Sequence, residues 1–317
     1  MCMHHGHEPE NCPDQETKDM LNRRRMIQTL AAGGAVSIAA PGLSSCATNA
    51  ETGSPQFLGL VGEGALNQMA AQSWTQAKQK QPQSTDPRYL GRLTNIGKRI
   101  AVGSGRGNQK WDYAVFDDDT KNAFVLPGNR VGFYKGMMDF ADNDDQIAAV
   151  MGHEVGHVAG KHAQERVNMQ MGGQLAVAGG TILAGSQMQK SCKNQPAQYQ
   201  RACYQKANRQ TVLLNQALGV GFMVGIALPF SRKHESQSDL LGARYMHRAG
   251  YDTKQSVRLW EKMAEASPRR QPTFLSTHPD PADRARDLHN FIECQERMGS
   301  QGWGNNSLKA ALKACKA

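Results

Sequence analysis

The sequence has few cysteines, few aromatic residues and no internal repeat. Its 317 residues include seven cysteines, too few for a fold that is built on disulfides. No repeat of about 20–50 residues is visible, which excludes a solenoid. With 39% hydrophobic and 21% charged residues, the chain is neither wholly disordered nor a polytopic membrane protein. A chain of this length can bury a full core without metal or disulfide staples.

The chain is basic, with 37 Lys and Arg against 28 Asp and Glu and a formal net charge of +9. Such an excess can indicate nucleic acid or an anionic membrane as a partner. The basic residues are dispersed, however, aromatic residues make up only 6% of the chain, and no nucleic-acid-binding motif is present. We therefore expect no nucleic-acid partner.

Residues 1–45 have the order of an export signal. Basic residues at Arg23–Arg25 precede an uncharged stretch rich in Ala and Gly, which ends in Leu-Ser-Ser and Cys46. The twin arginine followed by apolar residues fits a Tat-type signal, and the run is too short and too weakly apolar to span a bilayer. Leu-Ser-Ser-Cys resembles a bacterial lipobox, so we expect Cys46 to be lipidated and to become the mature N-terminus. Translation could start at Met1 or Met20.

The residue after the lipobox cysteine is Ala47. In the Gram-negative lipoprotein pattern an Asp at this position favours retention in the inner membrane. We therefore expect a lipoprotein of the outer membrane that faces the periplasm. Residues 46–56 would be its lipidated N-terminus and a polar tether.

Of the seven cysteines, Cys2 and Cys12 would be removed with the signal and Cys46 would carry the lipid, which leaves four as candidates for disulfides. An even number of cysteines in an exported protein predicts disulfides. Four cysteines allow three pairings; the local pairs are the simplest, but the sequence does not choose. The candidates are Cys192, Cys203, Cys294 and Cys315.

The pattern of apolar residues predicts a small sheet among many helices. Strands are predicted at 111–116, 123–126 and 130–134. Helices are predicted at 58–80, 88–103, 144–170, 235–249, 254–266 and 281–297.

Two further segments lie between the third and the fourth of these helices. Residues 186–210 are very polar and contain two cysteines, which indicates a stapled surface insertion or a lid. Residues 211–230 are largely apolar and predict a buried helix, with a membrane-dipping segment as the alternative.

Residues His153–His157 form an HExxH pattern. Positions i and i+4 share one face of a helix, so both imidazoles can bind one Zn²⁺ while Glu154 acts as the base for an attacking water. Catalytic zinc needs a third protein ligand. The metzincin pattern requires a histidine at the position of Ala163; His162 is one residue early, about 100° around the helix, so we expect it to face elsewhere.

A carboxylate from a second helix is the other common third ligand. Glu235 follows His157 by 78 residues (235 minus 157), and Asp239 lies one turn after it. Both can face the metal. We expect Glu235 to be the third ligand and Asp239 to orient a ligand imidazole.

In this ordered combination the chain resembles the HtpX/CAAX-prenyl-protease-type zinc metallopeptidases, in their periplasmic lipoprotein branch of BepA- and LoiP-like proteins. The resemblance covers roughly residues 55–295 and does not include the tetratricopeptide tail of the BepA-like proteins. It implies an α+β, mainly helical, zincin-like domain over 57–297, with a small antiparallel sheet next to the HExxH helix, followed by a tail over 298–317. The matching residues are Asn122-Ala123-Phe124, Pro127-Gly128, His153–His157, Glu235, Asp239, Ser276-Thr277-His278-Pro279 and Arg284.

The resemblance also implies roles for residues outside the HExxH helix. His278 would donate to the tetrahedral intermediate, and Arg284 would support its loop. The strand that contains Asn122, Ala123 and Phe124 resembles an edge strand that binds an extended substrate by strand addition. Ser238 stands where the family often has Ala, a small change that leaves the predicted ligand in place.

The function implied is that of a membrane-anchored zinc metalloendopeptidase with one Zn²⁺ per chain. It would hydrolyse peptide bonds in misfolded or stalled proteins of the cell envelope, which would be its partners in periplasmic quality control. The alternative is a non-proteolytic assembly factor or chaperone that holds partners in the same groove. The oligomeric state stays open.

Overall fold

The computed structural model describes residues 46–223, 227–265, 278, 281–299 and 302–316. The predicted export signal, and Ser276, Thr277 and Pro279 of the His278 motif, lie outside the described residues. The strands are β1 (Cys46–Thr48), β2 (Pro55–Phe57), β3 (Asp112–Phe116), β4 (Ala123–Leu126) and β5 (Arg130–Tyr134). The helices are α1 (Glu63–Lys80), α2 (Pro87–Gly103), α3 (Lys135–Phe140), α4 (Asp144–Ala159), α5 (His162–Lys193), α6 (Ala197–Phe222), α7 (Leu228–Arg248), α8 (Lys254–Glu265), α9 (Pro281–Arg297) and α10 (Leu308–Ala314).

The chain divides into two compact units. The first contains the described residues up to Thr48, Pro55–Val61 and Glu165–Phe230. The second contains Asn49–Ser54, Gly62–Gln164 and the described residues from Ser231 onward. The sequence analysis treats 57–297 as one domain, and the boundaries of that domain stay a prediction.

The first unit begins with a two-stranded antiparallel hairpin. Cys46–Thr48 pairs with Pro55–Phe57, and the side chain of Asn49 closes the turn by accepting hydrogen bonds from the N–H groups of Glu51 and Thr52. Part of the predicted tether over 46–56 is thus folded into a hairpin, with polar side chains in its turn. Its role as a tether stays a prediction.

The rest of the first unit is a helical hairpin of α5 and α6. A disulfide joins Cys192 to Cys203 where the two helices meet, which confirms one of the local pairings. The segment predicted as a stapled surface insertion or a lid is thus the disulfide-linked, largely exposed end of a helical hairpin.

The prediction of a buried helix over 211–230 is wrong for its described part. Val212, Leu213 and Val220 on α6 are exposed to 57%, 63% and 63%. α6 packs along α5, with Thr211 against Gly185, and no element within the described residues covers these three side chains. Among the described helices, none is long and apolar enough to cross a membrane.

The second unit contains a three-stranded sheet in the order β3-β5-β4. β4 pairs with β5 antiparallel, and β3 pairs with β5 parallel. The predicted strands agree with the observed ones to within one residue, and β4 packs against α4. A mainly helical fold with a small sheet beside the HExxH helix is confirmed. The expected antiparallel pairing holds for β4 with β5, whereas β3 runs parallel to β5, so the sheet is mixed.

The core of the second unit surrounds α4. This helix is buried along almost its whole length and packs against α2 and α8. Asn143 caps its start by accepting a hydrogen bond from the Gln146 N–H at 2.9 Å. The second local disulfide, Cys294–Cys315, links α9 to the residue after α10 and confirms the other predicted pair.

The single helix predicted over 144–170 is interrupted. α4 ends at Ala159, and Lys161 adopts a left-handed conformation with φ 53° before α5 begins at His162. The interruption moves His162 away from the position that a continuous helix would give it.

Candidate metal centre

Two histidines of α4 point in the same direction from neighbouring turns. The Nε2 atoms of His153 and His157 lie 3.1 Å apart. Both side chains are buried. Since residues i and i+4 share one face of a helix, the structure brings together the two imidazoles that the HExxH pattern pairs.

The backbone of α7 passes unusually close to that of α4. A Cβ atom on Gly156 would lie 2.7 Å from the carbonyl oxygen of Ser238. A Cβ atom on Gly152 would lie 2.9 Å from the carbonyl oxygen of Gly242. Only residues without a side chain allow this approach, and it places the carboxylates of α7 beside the imidazoles of α4.

Asp239 of α7 holds the Nδ1 side of His153. Its Oδ1 accepts a hydrogen bond from His153 Nδ1 at 2.8 Å, and Arg284 donates to both carboxylate oxygens at 2.7 and 2.8 Å. Burial disfavours the charged imidazole, but Asp239 outweighs burial and raises the pKa of His153 to about 9. Burial likewise raises the pKa of Asp239, but Arg284 outweighs it and the pKa is lowered. The Arg284 guanidinium in turn lies over the ring of Trp260, 4.2 Å from its centroid.

Glu235 lies between the two histidines. Its Oε2 is 3.3 Å from His153 Nε2, and its Oε1 is 3.6 Å from His157 Nε2. His278 Nδ1 is 2.6 Å from Glu235 Oε2. Burial disfavours the charged carboxylate, but hydrogen bonds with His153 and His278 outweigh burial and lower the pKa of Glu235. The possible ligand atoms of these four residues all lie within 4.8 Å of one another.

Glu154 lies beside this group. Burial raises the pKa of its carboxyl, and the backbone N–H of Val125 on β4 donates a hydrogen bond to it. Its Oε1 is 3.6 Å from His278 Nε2 and has no hydrogen-bond partner among the described residues. A carboxylate with a raised pKa is suited to take up and release a proton near neutral pH.

A second network holds the opposite nitrogen of His157. His157 Nδ1 lies 3.0 Å from His162 Nδ1, and His162 Nε2 lies 3.1 Å from Gln237 Oε1. Gln237 Nε2 donates to Ser54 Oγ, so its Oε1 faces His162 as an acceptor. Burial lowers the pKa of both histidines well below the usual value, which keeps both neutral.

The proton positions in this network follow from its acceptor end. His162 Nε2 must donate to Gln237, so His162 Nδ1 accepts. His157 Nδ1 then donates, and its Nε2 carries the lone pair that faces Glu235. Ser238 Oγ also lies 3.1 Å from His162 Nδ1.

The edge of the sheet lies next to Glu154. Tyr134 N–H donates to the carbonyl oxygen of Asn122, so Asn122 and Phe124 direct their backbone groups to β5. Ala123 and Val125 direct theirs to the opposite edge, where the Val125 N–H donates to Glu154. The Phe124 ring packs in an aromatic cluster. Of the predicted substrate-binding residues, Ala123 is therefore the one whose backbone faces the edge.

The group fits a divalent metal ion. Two buried carboxylate oxygens, Glu235 Oε1 and Glu154 Oε1, have no hydrogen-bond partner within the described chain, which is costly unless a cation or water is present. Two imidazoles and a carboxylate form a donor set that suits zinc and leaves one position open, and His153 would release its proton when the metal binds. If His278 were also a ligand, a tetrahedral metal would have no open position.

The structure gathers most of the residues that the sequence analysis selected. His278 lies inside the group of possible ligands, whereas the resemblance implied a role as a donor to the tetrahedral intermediate. The side chain of Cys46 is outside what the structure describes. The residues brought together are His153, Glu154, His157, Glu235, Asp239, His278 and Arg284.

Sequence reasoning missed residues that surround the group. His162 does face away from the His153 side of His157, but it contacts His157 through the other nitrogen. His234 stacks on His162 with ring centroids 4.1 Å apart. The left-handed break after Gly160 was the available signal for His162, and no pattern in the sequence marks Trp260.

Comparison with known proteins assigns the chain to a family. The model of Peptidase family M48 matches residues 87–292, well over half of the chain. The mitochondrial metalloendopeptidase OMA1 of Schizosaccharomyces pombe is 31% identical over 202 residues, which cover 63% of this chain and 52% of that protein.

Two relatives come from Escherichia coli strain K12. The β-barrel assembly-enhancing protease is 23% identical over 276 residues, covering 84% of this chain and 52% of that protein. The metalloprotease LoiP is 26% identical over 217 residues, covering 68% of this chain and 72% of that protein. The chain thus spans about half the length of several of the curated relatives it matches.

Proposed function

This chain belongs to peptidase family M48 and is a metallopeptidase, and we propose that it is a zinc-dependent endopeptidase acting on misfolded or stalled proteins of the cell envelope. The single observation that carries the proposal is the buried convergence of His153, His157 and Glu235 beside Glu154. These three residues would hold the metal.

The chemistry divides between the metal and the side chains around it. When bound, zinc would polarise the scissile carbonyl and make water more acidic. Glu154 takes the proton of the attacking water and passes it to the leaving amine. His278, 3.6 Å from Glu154, is placed to donate to the oxygen on which negative charge develops. Asp239 and Arg284 keep His153 oriented.

The substrate would be an extended peptide backbone. β4 is an edge strand, and its outward backbone groups at Ala123 and Val125 lie on the side of Glu154. A substrate strand that pairs with this edge would bring its own carbonyl groups past the base. Pairing through the backbone depends little on the side chains of the substrate. Such low sequence selectivity suits a peptidase that acts on unfolded proteins.

The proposed place of action rests on the predicted export signal and on one of the relatives. The twin-arginine signal and the lipobox support a lipoprotein anchored through Cys46, and Ala47 supports the outer membrane. One relative is named a β-barrel assembly-enhancing protease. Fractionation should find the protein in the outer membrane, and Cys46→Ala should release it in soluble form; an inner-membrane location would contradict the outer-membrane assignment.

The test is zinc-dependent cleavage of an unfolded protein by the full chain. Glu154→Gln should reduce cleavage by about 10²- to 10⁴-fold while zinc stays bound in the wild-type amount. Glu261→Gln removes an exposed carboxylate of α8 and should change neither. His153→Ala should lose the zinc.

Two results would reject the proposal. One is undiminished zinc in His153→Ala. The other is an envelope phenotype that Glu154→Gln leaves unchanged, which would assign the groove to a non-proteolytic assembly factor.

A further inference from the structure

The helical hairpin of α5 and α6 has two surfaces of different chemistry. Its shaft, residues 167–189 and 210–223, contains no charged residue. Its tip, residues 190–209, contains five basic residues and no acidic one. The basic residues are Lys190, Lys193, Arg201, Lys206 and Arg209.

The shaft exposes large apolar side chains. Of the thirteen exposed large hydrophobic side chains in the described chain, eight belong to the shaft, although the shaft is a small part of that chain. Ile182 is exposed to 62% and Leu213 to 63%. Such a concentration in one place marks an interaction surface, because single exposed apolar residues are common but clusters are not. The eight residues are Met171, Leu175, Ile182, Val212, Leu213, Leu218, Val220 and Met223.

The tip adds a charge of one sign to this apolar surface. All five basic side chains are exposed, and none forms an ion pair with another residue that the structure describes. A surface that combines exposed apolar groups with unpaired Lys and Arg matches the boundary of an anionic bilayer, where acyl chains lie next to phosphates. A second copy of the hairpin would present the same positive charge and is less well matched.

The position of the hairpin agrees with this assignment. β2 packs at the base of α5: Gln56 Nε2 donates to Glu165 Oε2 at 2.9 Å, and Leu60 N–H donates to Asn168 Oδ1. β1, which begins at Cys46, belongs to the same compact unit. A lipid on Cys46, as the proposed function has it, would hold this unit at a bilayer.

From the exposed shaft and the basic tip we infer that the α5–α6 hairpin is a membrane-docking surface for anionic lipid. The apolar shaft contacts the acyl boundary, and the tip binds lipid phosphates. The inference depends neither on peptidase activity nor on lipidation of Cys46.

Vesicle flotation of the full chain with Cys46→Ser, which cannot be lipidated, tests the shaft. This parent chain should bind vesicles of phosphatidylglycerol and phosphatidylcholine about tenfold more tightly than phosphatidylcholine alone. Leu213→Gln with Val220→Gln should weaken binding by about tenfold or more. Met69→Gln with Val102→Gln changes equally exposed apolar residues outside the hairpin and should leave binding unchanged.

A charge-reversal pair tests the tip. Lys193→Glu with Arg201→Glu should weaken binding to the anionic vesicles by about 30-fold and reduce its salt dependence. Lys98→Glu with Lys110→Glu produces the same change in net charge at exposed positions outside the hairpin, and should have a much smaller effect.

Several results would overturn the inference. The parent chain could fail to bind the anionic vesicles, or the hairpin variants could bind as well as their controls. A dimer that only the shaft variant dissociates, without vesicle binding, would assign the surface to a second copy. If the hairpin variants lost binding to unfolded protein and kept binding to vesicles, the surface would be assigned to substrates. Cleavage of a soluble unfolded protein, which all hairpin variants should retain, reports on the proposed function separately.

Discussion

His162 Nδ1 lies 3.0 Å from His157 Nδ1, on the side of the His157 ring away from Glu235. His162 Nε2 donates to Gln237 Oε1, and His162 Nδ1 accepts a hydrogen bond from His157 Nδ1. The Nε2 lone pair of His157 is therefore directed at the candidate metal position. Gly160 is needed for this arrangement, since a Cβ there would lie 2.2 Å from His162 Nε2.

Replacing His162 should therefore weaken metal binding. His162→Ala removes the acceptor of the His157 proton, and loss of such a contact typically costs about 10- to 100-fold in metal affinity. His162→Asn places an oxygen near the position of Nδ1 and should restore part of the affinity. Competition with a chelator measures the dissociation constant, and thermal unfolding of the metal-free proteins controls for stability. Wild-type affinity in His162→Ala would show that His157 needs no partner.

Removing Arg284 should destabilise the protein through Asp239. Arg284→Met leaves a buried carboxylate without its main partner, which costs about 3–5 kcal/mol of unfolding free energy. Adding Asp239→Asn should recover part of this loss because the uncompensated charge is removed. Arg286→Met, at an exposed position of the same helix, should change stability by less than about 1 kcal/mol. Denaturant unfolding of the metal-free proteins gives the comparison, and equal effects at 284 and 286 would contradict the role of the pair.

Adding a single methyl group between α4 and α7 should disturb the metal centre. Gly156→Ala places a Cβ 2.7 Å from the Ser238 carbonyl oxygen, and such overpacking costs about 1–3 kcal/mol. Metal affinity should fall as well, because Glu235 moves with α7. Gly91→Ala is the matched control: this helical glycine of α2 has open space around it, so the substitution should stabilise by up to about 1 kcal/mol. Calorimetry and zinc titration distinguish the two, and a stabilised Gly156→Ala would refute the close contact.

The two disulfides should have separate effects. Each closes a short loop, of 11 and 21 residues in sequence separation, and loop entropy gives about 3 kcal/mol for each. Replacing Cys192 and Cys203 by Ala should lower amide protection in the α5–α6 hairpin and leave cleavage unchanged. Replacing Cys294 and Cys315 should lower the stability of the unit that holds the metal centre. Hydrogen exchange locates each effect. A loss of peptidase activity when Cys192 and Cys203 are replaced would contradict the claim that the two disulfides act separately.

The sequence by itself determined the local chemistry of this protein. The spacing of His153 and His157 is read directly from the period of a helix, and alternation gives the three strands to within one residue. The local disulfide pairs were the simplest of three choices and are the ones formed. Local periods and short loops depend on neighbouring residues, so they are visible in a linear sequence.

Only the tertiary structure decided how distant residues meet. Glu235 reaches the histidines because glycines at 152, 156 and 242 let two helices approach, and no local pattern states which helices cross. The left-handed turn at Lys161 sends His162 to the far side of His157. Val212, Leu213 and Val220 are exposed because no element in the described part of the chain covers them. Composition gives the number of apolar residues in a segment, whereas burial depends on what packs against it.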